Sequence, residues 1–579
     1  MNPKSLRLAL AGVALACSWV VAAQPLPDAP EAAPAKPQVN PPPPAVAPPV
    51  TPLTEAIRER VDHLRYVHEH DAHDHSIRGA NIVVGEGVAR LYETEQFQPR
   101  WLDASRLDEL IAAVGDLRYD GLDPADYHID ALISFRTDLR AGALAPGDQA
   151  DLELVATDAM MLALYHLYVG KVDPVKLSSQ WNYSTRPFDP KVGFEQFRRA
   201  LASASIADTF QAARPQHVWY QRGRERLKEY IGLAAAGGWS PVPDGPTLEP
   251  GAEDPRVPAL RQRLRVTRDY DGAPDPYPPS SLYDPALETA VRHFQERHGL
   301  TADGVIGPAT RAALNVPVSA RIDQIRINLE RARWVMHEIK GEFVLVNVAG
   351  FEVAYFRDDE PIWSSRVIVG KPYRETPIFR SLITYVVLNP TWTIPPTILV
   401  KDKLPVIKRD PGYLKRNNIR VIDSSGREVN PYSVNWSRYG AGNLPPYQLR
   451  QDPGEDNALG LVKIMFPNPH MVYLHDTPTK SLFDKDERTF SSGCIRVQKA
   501  FELAELVLND PARWNRPAMD AVVATKKMQT VNLAKPVPVL ILYWTAQPRA
   551  DGQVIFRNDV YGRDPATLAA LDSDFRLPR

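Results

Sequence analysis

Cysteine is almost absent from this chain of 579 residues, and this limits how its fold can be held together. The two cysteines are Cys17 and Cys494. Cys17 lies in a segment that we expect to be removed on export, so Cys494 has no partner for an internal disulfide. The folded domains must therefore be stabilised by hydrophobic cores. An unpaired thiol in an exported protein either pairs between chains or is reactive.

The N-terminal residues are typical of a secretory signal. Lys4 and Arg7 precede an apolar run over 8–16, and small residues at 21–23 offer a cleavage site. The run is too short for a lasting membrane span. We therefore predict a signal peptide at 1–23, with an uncleaved anchor as the alternative, and an exported mature chain.

A later stretch, 152–169, is the most apolar part of the remaining chain. It carries Glu153, Asp158 and His166, which are unusual in a membrane span and compatible with a buried helix. We predict a buried helix here and no further transmembrane segment.

The length of the chain and its changes in composition predict several domains. Prolines crowd the segment that follows the signal and favour an extended spacer. The formal net charge of −2 gives no indication of nucleic acid binding. The predicted segments are a signal peptide at 1–23, a proline-rich spacer at 24–53, a helical scaffold at 54–253, a compact module at 254–316, a linking helix at 317–340, a mainly β region at 341–546 with an insertion at about 396–450, and a C-terminal extension at 547–579.

Five histidines follow the spacer. A metal site is one interpretation, and a solvated polar edge of a helix is the other. We favour the polar edge, because no cysteine and no fixed ligand spacing accompany the histidines. The residues are His63, His68, His70, His73 and His75.

The compact module shows a pattern of three helices. Its landmarks are an apolar helix face at Leu287, Ala290, Val291 and Phe294, turns at Asp303-Gly304 and Gly307-Pro308, a cap at Thr310, and a helix end at Leu314-Asn315. This pattern resembles the three-helix peptidoglycan-binding module of cell-wall enzymes. Most matching positions are structural, so the resemblance implies a fold more than particular binding residues.

After the linking helix the periodicity changes to that of short strands rich in Val, Ile and Tyr. An insertion rich in proline, lysine and aromatic residues interrupts this pattern and is placed to lie over a site. The predicted elements are two strands over 343–356, strands at 366–369, 383–388, 471–475 and 539–544, and a helix at 500–508.

The chemistry of the chain is concentrated around Cys494 and His475. In a strand over 471–475, alternate side chains share a face, so Tyr473 and His475 point away from the core. A nearby imidazole can deprotonate a thiol for nucleophilic attack, and the N–H groups of Gly493 and Cys494 are placed to hold an oxyanion. A buried, inert cysteine beside a structural histidine is the alternative.

The wider motif resembles the signature of the L,D-transpeptidase catalytic domain. The signature is His475-Asp476-Thr477 followed by Ser491-Ser492-Gly493-Cys494-Ile495-Arg496. Further landmarks resemble the large periplasmic members of that family, at 374–377, 389–395, 451–454, 457–460 and 466–468. The resemblance implies a multidomain α+β fold with a mostly β catalytic domain, a helical scaffold, a three-helix peptidoglycan-binding module and a capping insertion.

The resemblance implies a cysteine L,D-transpeptidase that acts on peptidoglycan tetrapeptide stems. Cys494 would be the nucleophile, His475 the general base and acid, and Gly493 an oxyanion donor. D-alanine would leave, and a neighbouring amine would resolve the thioester to form a 3→3 cross-link. No metal and no organic cofactor are implied. An L,D-carboxypeptidase and an inactive peptidoglycan-binding protein are the alternatives.

One position departs from the family pattern. Most members have histidine immediately before the Gly-Cys pair, where this chain has Ser492. His475 is then the only histidine of the signature. Arg496 is expected to pair with a carboxylate or to fix the turn, with an internal salt bridge as an alternative. Substrate contacts are assigned to Arg496, Tyr473, Ser492 and Trp392, with aromatic core packing as the alternative for Trp392.

The resemblance also implies a setting. It indicates the periplasm of a Gram-negative envelope, peptidoglycan as a partner, inhibition by carbapenems, and a functional link to D,D-carboxypeptidases, which supply tetrapeptide stems.

Overall fold

The structure is a computed structural model, and it describes most of the chain after the spacer. The predicted signal peptide and nearly all of the spacer lie outside the described residues. His73, His75 and the side chains of His68 and His70 also lie outside them, which leaves the interpretation of the histidines a prediction. The described residues are 49–70, 76–183, 189–272, 279–337 and 339–575.

The first part of the folded chain is helical, with one small β-hairpin. Its elements are α1 Pro52–His70, β1 Ser76–Ile77, β2 Ala80–Asn81, α2 Gly85–Thr94, α3 Ala104–Asp116, α4 Ile129–Arg140, α5 Pro146–Val169, α6 Pro174–Leu177, α7 Pro190–Leu201, α8 Ile206–Ala213 and α9 Val218–Ala235, with 3₁₀ helices at Leu117–Asp120 and Pro124–Tyr127.

Helix α5 is the central helix of this part, as predicted. Its buried acids are matched by backbone donors, because an unpaired buried carboxylate is strongly destabilising. Glu153 accepts hydrogen bonds from the N–H groups of Arg100 and Trp101, each at 2.7 Å. Among the described residues, α5 is the one helix that is long and apolar enough to cross a membrane, and most of it is buried inside the protein.

The next three helices form the compact module around their own apolar core. They are α10 Val257–Val266, α11 Pro285–Arg297 and α12 Pro308–Leu314. The predicted cap at Thr310 is wrong. Helix α12 begins at Pro308, and Thr310 is buried within it, where its hydroxyl donates to the Val305 carbonyl and accepts from the Gln295 amide. The predicted three-helix fold is confirmed.

Helix α13, Val318–Val335, links the module to the mainly β region and carries a buried ion pair. Glu330 and Arg333 are both fully buried and bond to each other. Arg333 Nη1 also donates to the Asp120 carbonyl at 2.6 Å and to the Tyr220 hydroxyl at 3.0 Å. Glu330 accepts from the Val172 N–H at 2.7 Å. This pair therefore fastens the linking helix to the scaffold.

The remaining chain forms two sheets and a C-terminal hairpin. Its strands are β3 Phe343–Asn347, β4 Glu352–Arg357, β5 Glu360–Gly370, β6 Phe379–Leu388, β7 Trp392–Thr393, β8 Ile419–Ile422, β9 Glu428–Val429, β10 Gln448–Gln451, β11 Val462–Met465, β12 Leu474–His475, β13 Thr489–Ser491, β14 Ile495–Val497, β15 Gln529–Leu542, β16 Ala546–Pro548 and β17 Val554–Phe556.

The large sheet has nine strands in the order β13-β5-β14-β12-β11-β6-β15-β3-β4. A further pairing of β4 with β5 closes the sheet on itself, with β13 attached to β5. Two helices follow the strands that carry the cysteine motif, α17 Ala500–Leu508 at its predicted bounds and α18 Arg516–Ala524, and α19 Asp564–Leu571 lies near the C-terminus. The predicted fold class is thus confirmed.

The strand predicted over 471–475 is shorter than expected, since only Leu474 and His475 pair with neighbouring strands. Met471 has a left-handed backbone, with φ of 55°, which breaks a strand. Asn468 holds the loop instead. Its side chain accepts from the N–H groups of His470 and Val472 and donates to the Val472 carbonyl.

Between β6 and β11 the chain forms the insertion, which has a small sheet of its own. The order of strands is β7-β10-β8-β9. Short helices pack on this sheet: α14 Pro396–Ile398, a π-helical turn Leu399–Lys403, α15 Leu404–Arg409 and α16 Gly412–Arg416. Buried residues from Trp392 to Leu459 form a separate apolar core, and Tyr473 packs against its edge.

We expect Arg333→Met to destabilise the protein by about 3–5 kcal/mol, because it leaves the Glu330 carboxylate buried without a counter-charge. Urea titration followed by tryptophan fluorescence measures the change. The matched control is Arg416→Met, which removes an exposed partner of Asp410 and should cost less than about 1 kcal/mol. Equal effects of the two variants would contradict the structural role of Glu330 and Arg333.

Candidate active site

The site is built on three neighbouring strands of the large sheet. Lys463 of β11 pairs in register with His475 of β12, and His475 pairs with Arg496 of β14. Side chains of residues directly opposite each other point to the same face of a sheet. The three basic side chains therefore stand in a row on one face.

The next row of residues points the opposite way, into the main hydrophobic core. Ile464 pairs with Leu474, and Leu474 pairs with Ile495. All three are fully buried in that core. A shift of register by one residue would exchange the two rows, so the burial of the apolar row fixes the orientation of the basic row.

Cys494 lies immediately before β14, beside Tyr473. The Ile495 N–H donates to the Tyr473 carbonyl at 3.1 Å, which holds the two segments together. Cys494 precedes Arg496 by two residues, and strand alternation gives the two side chains the same face. The structure therefore brings four of the predicted site residues together: Cys494, Tyr473, His475 and Arg496.

The Cys494 sulfur is mostly desolvated, although the residue keeps a partly exposed surface. Its thiol donates to the Met471 carbonyl at 3.7 Å. Burial raises the pKa of the thiol. Hydrogen bonds from the backbone and side chain of Tyr473 oppose this rise, as do the charges of Lys463 and Arg496. The net effect is a raised pKa, which Tyr473 and the two cations limit.

His475 is buried and neutral at ordinary pH. Its Nδ1 atom lies 2.5 Å from the Asp476 carbonyl oxygen. A carbonyl can only accept, so Nδ1 carries the hydrogen and Nε2 keeps its lone pair. Burial lowers the pKa of His475 to about 3, and the positive charges of Arg496 and Lys463 add to this effect. The ring is therefore available to accept a proton rather than to donate one at rest.

The loop before β11 is shaped around Asp476, which follows β12. Gly460 has a left-handed backbone, with φ of 62°, and a side chain there would collide with the Asp476 carboxylate. That carboxylate accepts from the Leu461 N–H at 3.0 Å and pairs with Lys480. Asp476 thus orients the backbone that bonds to the His475 ring.

Lys463 and Arg496 are half-buried cations without a carboxylate partner among the described residues. Arg496 Nη1 donates to the Thr479 hydroxyl at 3.3 Å, and its Nε has no acceptor. The internal salt bridge given as an alternative for Arg496 is not present among the described residues. The bond of Arg496 to Thr479 agrees with the alternative role of holding a turn. Within the described residues, no group of three His, Cys, Asp or Glu is placed to hold a metal ion.

The loop that presents the nucleophile is held by two hydroxyl groups, one from Ser491 of the loop and one from Thr376. The Ser491 hydroxyl donates to the Cys494 carbonyl at 2.6 Å and accepts from the Gly493 N–H at 3.1 Å. Thr376 donates to the Gly493 carbonyl at 2.9 Å. Gly493 has φ of 115°, which only glycine adopts readily.

This arrangement corrects the oxyanion donor predicted at Gly493. Its N–H is already bonded to Ser491 and is not free for a substrate oxygen. The Cys494 N–H makes no hydrogen bond within the part of the chain that the structure describes. It is the remaining backbone donor of the predicted pair.

Ser492 is exposed and is bonded to an arginine that also holds the insertion. Arg374 Nη1 donates to the Ser492 hydroxyl at 2.8 Å. The same guanidinium binds both carboxylate oxygens of Asp402, at 2.6 and 3.0 Å. Asp402 belongs to the π-helical turn of the insertion, so Arg374 connects the insertion to the nucleophile loop.

Trp392 belongs to the insertion and not to the three strands of the site. It is buried in the separate core of the insertion, pairs with Gln451 across β7 and β10, and has Lys403 near its ring. These contacts agree with core packing, the alternative given for this residue.

Sequence reasoning missed three residues of the site: Lys463, Thr376 and Asn468. Lys463 had a signal, because it interrupts an apolar strand between Val462 and Ile464. Thr376 and Asn468 lie within motifs that the sequence analysis noted. The partner of Thr376 is distant in sequence, and the bonds of Asn468 depend on the irregular loop before β12.

Comparisons with known protein families find three domains in order. Residues 86–227 match the family described as "Scaffold domain", 253–314 match "Putative peptidoglycan binding domain", and 341–539 match "L,D-transpeptidase catalytic domain". This order confirms the domain content that the sequence resemblance implied.

A curated relative from Haemophilus influenzae, named "Putative L,D-transpeptidase", is 36% identical over 252 residues. The match covers 43% of this chain and 50% of the relative. The chain thus spans about half the length of the curated relative that it matches.

Two solved L,D-transpeptidase structures are also similar. One, from Xylanimonas cellulosilytica, is 15% identical, with coverage of 52% of this chain and 99% of that chain and a TM-score of 0.17. The other, from Stackebrandtia nassauensis, is 13% identical, with coverage of 52% and 97% and a TM-score of 0.21. Similarity at this level adds no support to a function.

The neutral state of His475 should make stability depend on pH. The unfolded histidine takes up a proton as the pH falls through 6.5, whereas the folded one does so only near 3. Stability that is present above pH 6.5 is therefore lost as the pH falls toward 3. When the pH is lowered from 7 to 4.5, the free energy of unfolding of His475→Gln should fall by about 2–3 kcal/mol less than that of the unsubstituted protein.

Urea titrations at both pH values measure this difference. The control is His63→Gln, at an exposed position of α1, which should lose as much stability as the unsubstituted protein. An unchanged loss in His475→Gln would mean that His475 is protonated in the folded state.

Proposed function

We propose that this protein, whose residues 341–539 match the L,D-transpeptidase catalytic domain, is a cysteine L,D-transpeptidase of peptidoglycan. The observation that carries the proposal is the position of Cys494 within that domain. Its thiol shares one face of the sheet with Tyr473, His475 and Arg496, and its environment supplies both hydrogen bonds and positive charge to a thiolate.

In the proposed acylation step, the Cys494 sulfur attacks the carbonyl carbon between the third residue of a tetrapeptide stem and the terminal D-alanine. The bond from sulfur to carbon forms, and the carbonyl oxygen becomes an oxyanion. The Cys494 N–H is the free backbone donor for this oxygen. The carbon–nitrogen bond then breaks, D-alanine leaves, and a thioester remains on Cys494.

His475 moves the protons of this step. Its Nε2 accepts the thiol proton and later gives it to the leaving amine, as in other pairs of a nucleophile and a base. Although the isolated imidazole is a weak base, proton transfer from Cys494 creates a thiolate and an imidazolium that attract each other in a poorly solvated site. The Asp476 carbonyl keeps the ring in the required tautomer through Nδ1.

In the second step, the amine of a neighbouring stem attacks the thioester. The nitrogen–carbon bond forms, and the amine nitrogen loses a proton to His475. The carbon–sulfur bond breaks, His475 returns the proton to the sulfur, and a 3→3 cross-link remains. Water in place of the amine would release a tripeptide. The insertion, which is fastened to the nucleophile loop through Arg374, supports the transfer reaction because exclusion of water favours the amine.

The setting of the protein belongs to the same proposal. The match at 253–314 supports peptidoglycan as a partner, and an exported, wall-associated location follows from it. We place the protein in the periplasm. A D,D-carboxypeptidase reaction must supply the tetrapeptide stems, and carbapenems should acylate Cys494.

We expect Cys494→Ala to reduce release of D-alanine by roughly a thousandfold or more, because the nucleophile is removed. Purified tetrapeptide muropeptides and, separately, a carbapenem are incubated with the protein, and its intact mass is measured. The unsubstituted protein should gain the mass of an acyl group in both cases, and the variant should gain none. Binding of both proteins to sacculi controls for folding.

Protein alkylated with iodoacetamide before the assay is the matched control and should behave like the variant. Acylation of Cys494→Ala at the normal rate would refute the nucleophile. Chromatography of the products decides the reaction: 3→3 dimers support the transferase, and tripeptides alone would overturn it in favour of the L,D-carboxypeptidase.

A further inference from the structure

Lys463 is a lysine in the middle of an otherwise apolar strand. Its neighbours on β11, Val462 and Ile464, are fully buried in the main core. Lys463 points the other way, in register with His475. A half-buried ammonium group on the face of a reactive site is expensive to desolvate and calls for a compensating interaction.

The compensating interaction is an aromatic ring. The Lys463 ammonium nitrogen lies 3.9 Å from the centroid of the Tyr473 ring, well within the range of a cation–π interaction. No carboxylate pairs with Lys463 in the described part of the chain. Burial lowers the pKa of Lys463, and the charge of Cys494 is the one effect that opposes this shift.

The Tyr473 side chain provides a path by which Lys463 can affect the Cys494 sulfur. One face of the ring receives the ammonium group, and the hydroxyl opposes the rise in the pKa of the Cys494 thiol that burial causes. A cation over an aromatic face draws electron density from the ring. A phenol with less electron density is a stronger hydrogen-bond donor, and donors to sulfur stabilise the thiolate.

The other charged groups around the sulfur do not duplicate this arrangement. Arg496, on the far side of His475, is bonded to Thr479. His475 is buried and neutral, so it adds no positive charge at rest. The groups that face Cys494 from the three strands and the preceding loop are thus Lys463, Tyr473, His475 and Arg496.

We propose that Lys463 is a positioning residue for the nucleophile: its ammonium group fixes and polarises Tyr473, so that the Tyr473 hydroxyl stabilises the Cys494 thiolate that forms when His475 accepts the thiol proton. This inference rests on the proposed function only in taking Cys494 as the nucleophile. It assigns a task in the reaction to a strand residue outside the His475 and Cys494 motifs.

The test measures the rate at which iodoacetamide alkylates Cys494 between pH 5 and 10 in the full chain. In Lys463→Met, the midpoint of the pH profile should rise by about one unit, and the rate at pH 7 should fall about tenfold. Lys463→Arg keeps the cation and should restore most of the rate. Lys535→Met removes an exposed lysine from β15 of the same sheet and should leave the profile unchanged.

A double substitution tests the route through Tyr473. Tyr473→Phe keeps the ring but removes the hydroxyl, so adding Lys463→Met to it should shift the profile much less than Lys463→Met does alone. If Lys463→Met shifts the pH profile equally with and without Tyr473→Phe, Lys463 does not act through the Tyr473 hydroxyl. If Lys463→Met and Lys535→Met give the same profile, the proposal fails. Lys463→Gln replaces Lys463→Met if circular dichroism shows that the latter is unfolded.

Alkylation needs no substrate, so it separates this proposal from the proposed function. Release of D-alanine is measured on the same variants and should fall about tenfold in Lys463→Met at pH 7, mainly in kcat. If no variant and no unsubstituted protein releases D-alanine, the proposed function fails, while the alkylation profiles still decide the role of Lys463.

Discussion

The pairing of a two-residue strand with its neighbours determines the geometry of the whole site. Leu474 and His475 of β12 are held between β11 on one side and β14 on the other. Leu474 is buried among apolar neighbours of the same row, so the register cannot slip without moving that row out of the core. His475 is consequently fixed opposite Arg496 and Lys463 on its two neighbouring strands. Cys494 is fixed as well, because it immediately precedes the first residue of β14. A large sheet and its core are needed to position one imidazole and one sulfur.

Electrostatics explains how a desolvated thiol can still react. Burial alone would keep the Cys494 sulfur protonated, as its raised pKa indicates. Two cations without carboxylate partners in the described residues, and one phenol, oppose this effect and reduce the cost of forming the thiolate. Burial, aided by the same cations, keeps His475 neutral, which leaves the lone pair of its Nε2 atom unprotonated. The histidine and the thiol are thus prepared by one positive environment, which a carboxylate beside Arg496 would have weakened.

The sequence predicted the fold class and the residues of the central motif, because strand alternation and motif spacing are local properties. Tyr473 and His475 do share a face, although the strand is shorter than predicted, since Met471 adopts a left-handed backbone that no local pattern revealed. The assignment of Gly493 as a donor failed for a different reason: the Ser491 hydroxyl folds back onto its N–H. Lys463 was overlooked because its importance depends on an aromatic ring from another strand segment. In general, contacts between segments that are distant in the sequence could not be predicted from it.

Arg374 has a consequence for the way in which the protein tolerates change. Its guanidinium holds Asp402 on the insertion and Ser492 next to the sulfur, so a single side chain spans two parts with separate hydrophobic cores. A substitution at Arg374 therefore affects the insertion and the nucleophile loop together, and the two parts do not evolve independently at this contact. Loss of the arginine would remove both contacts at once, while Ser491 and Thr376 would still hold the loop.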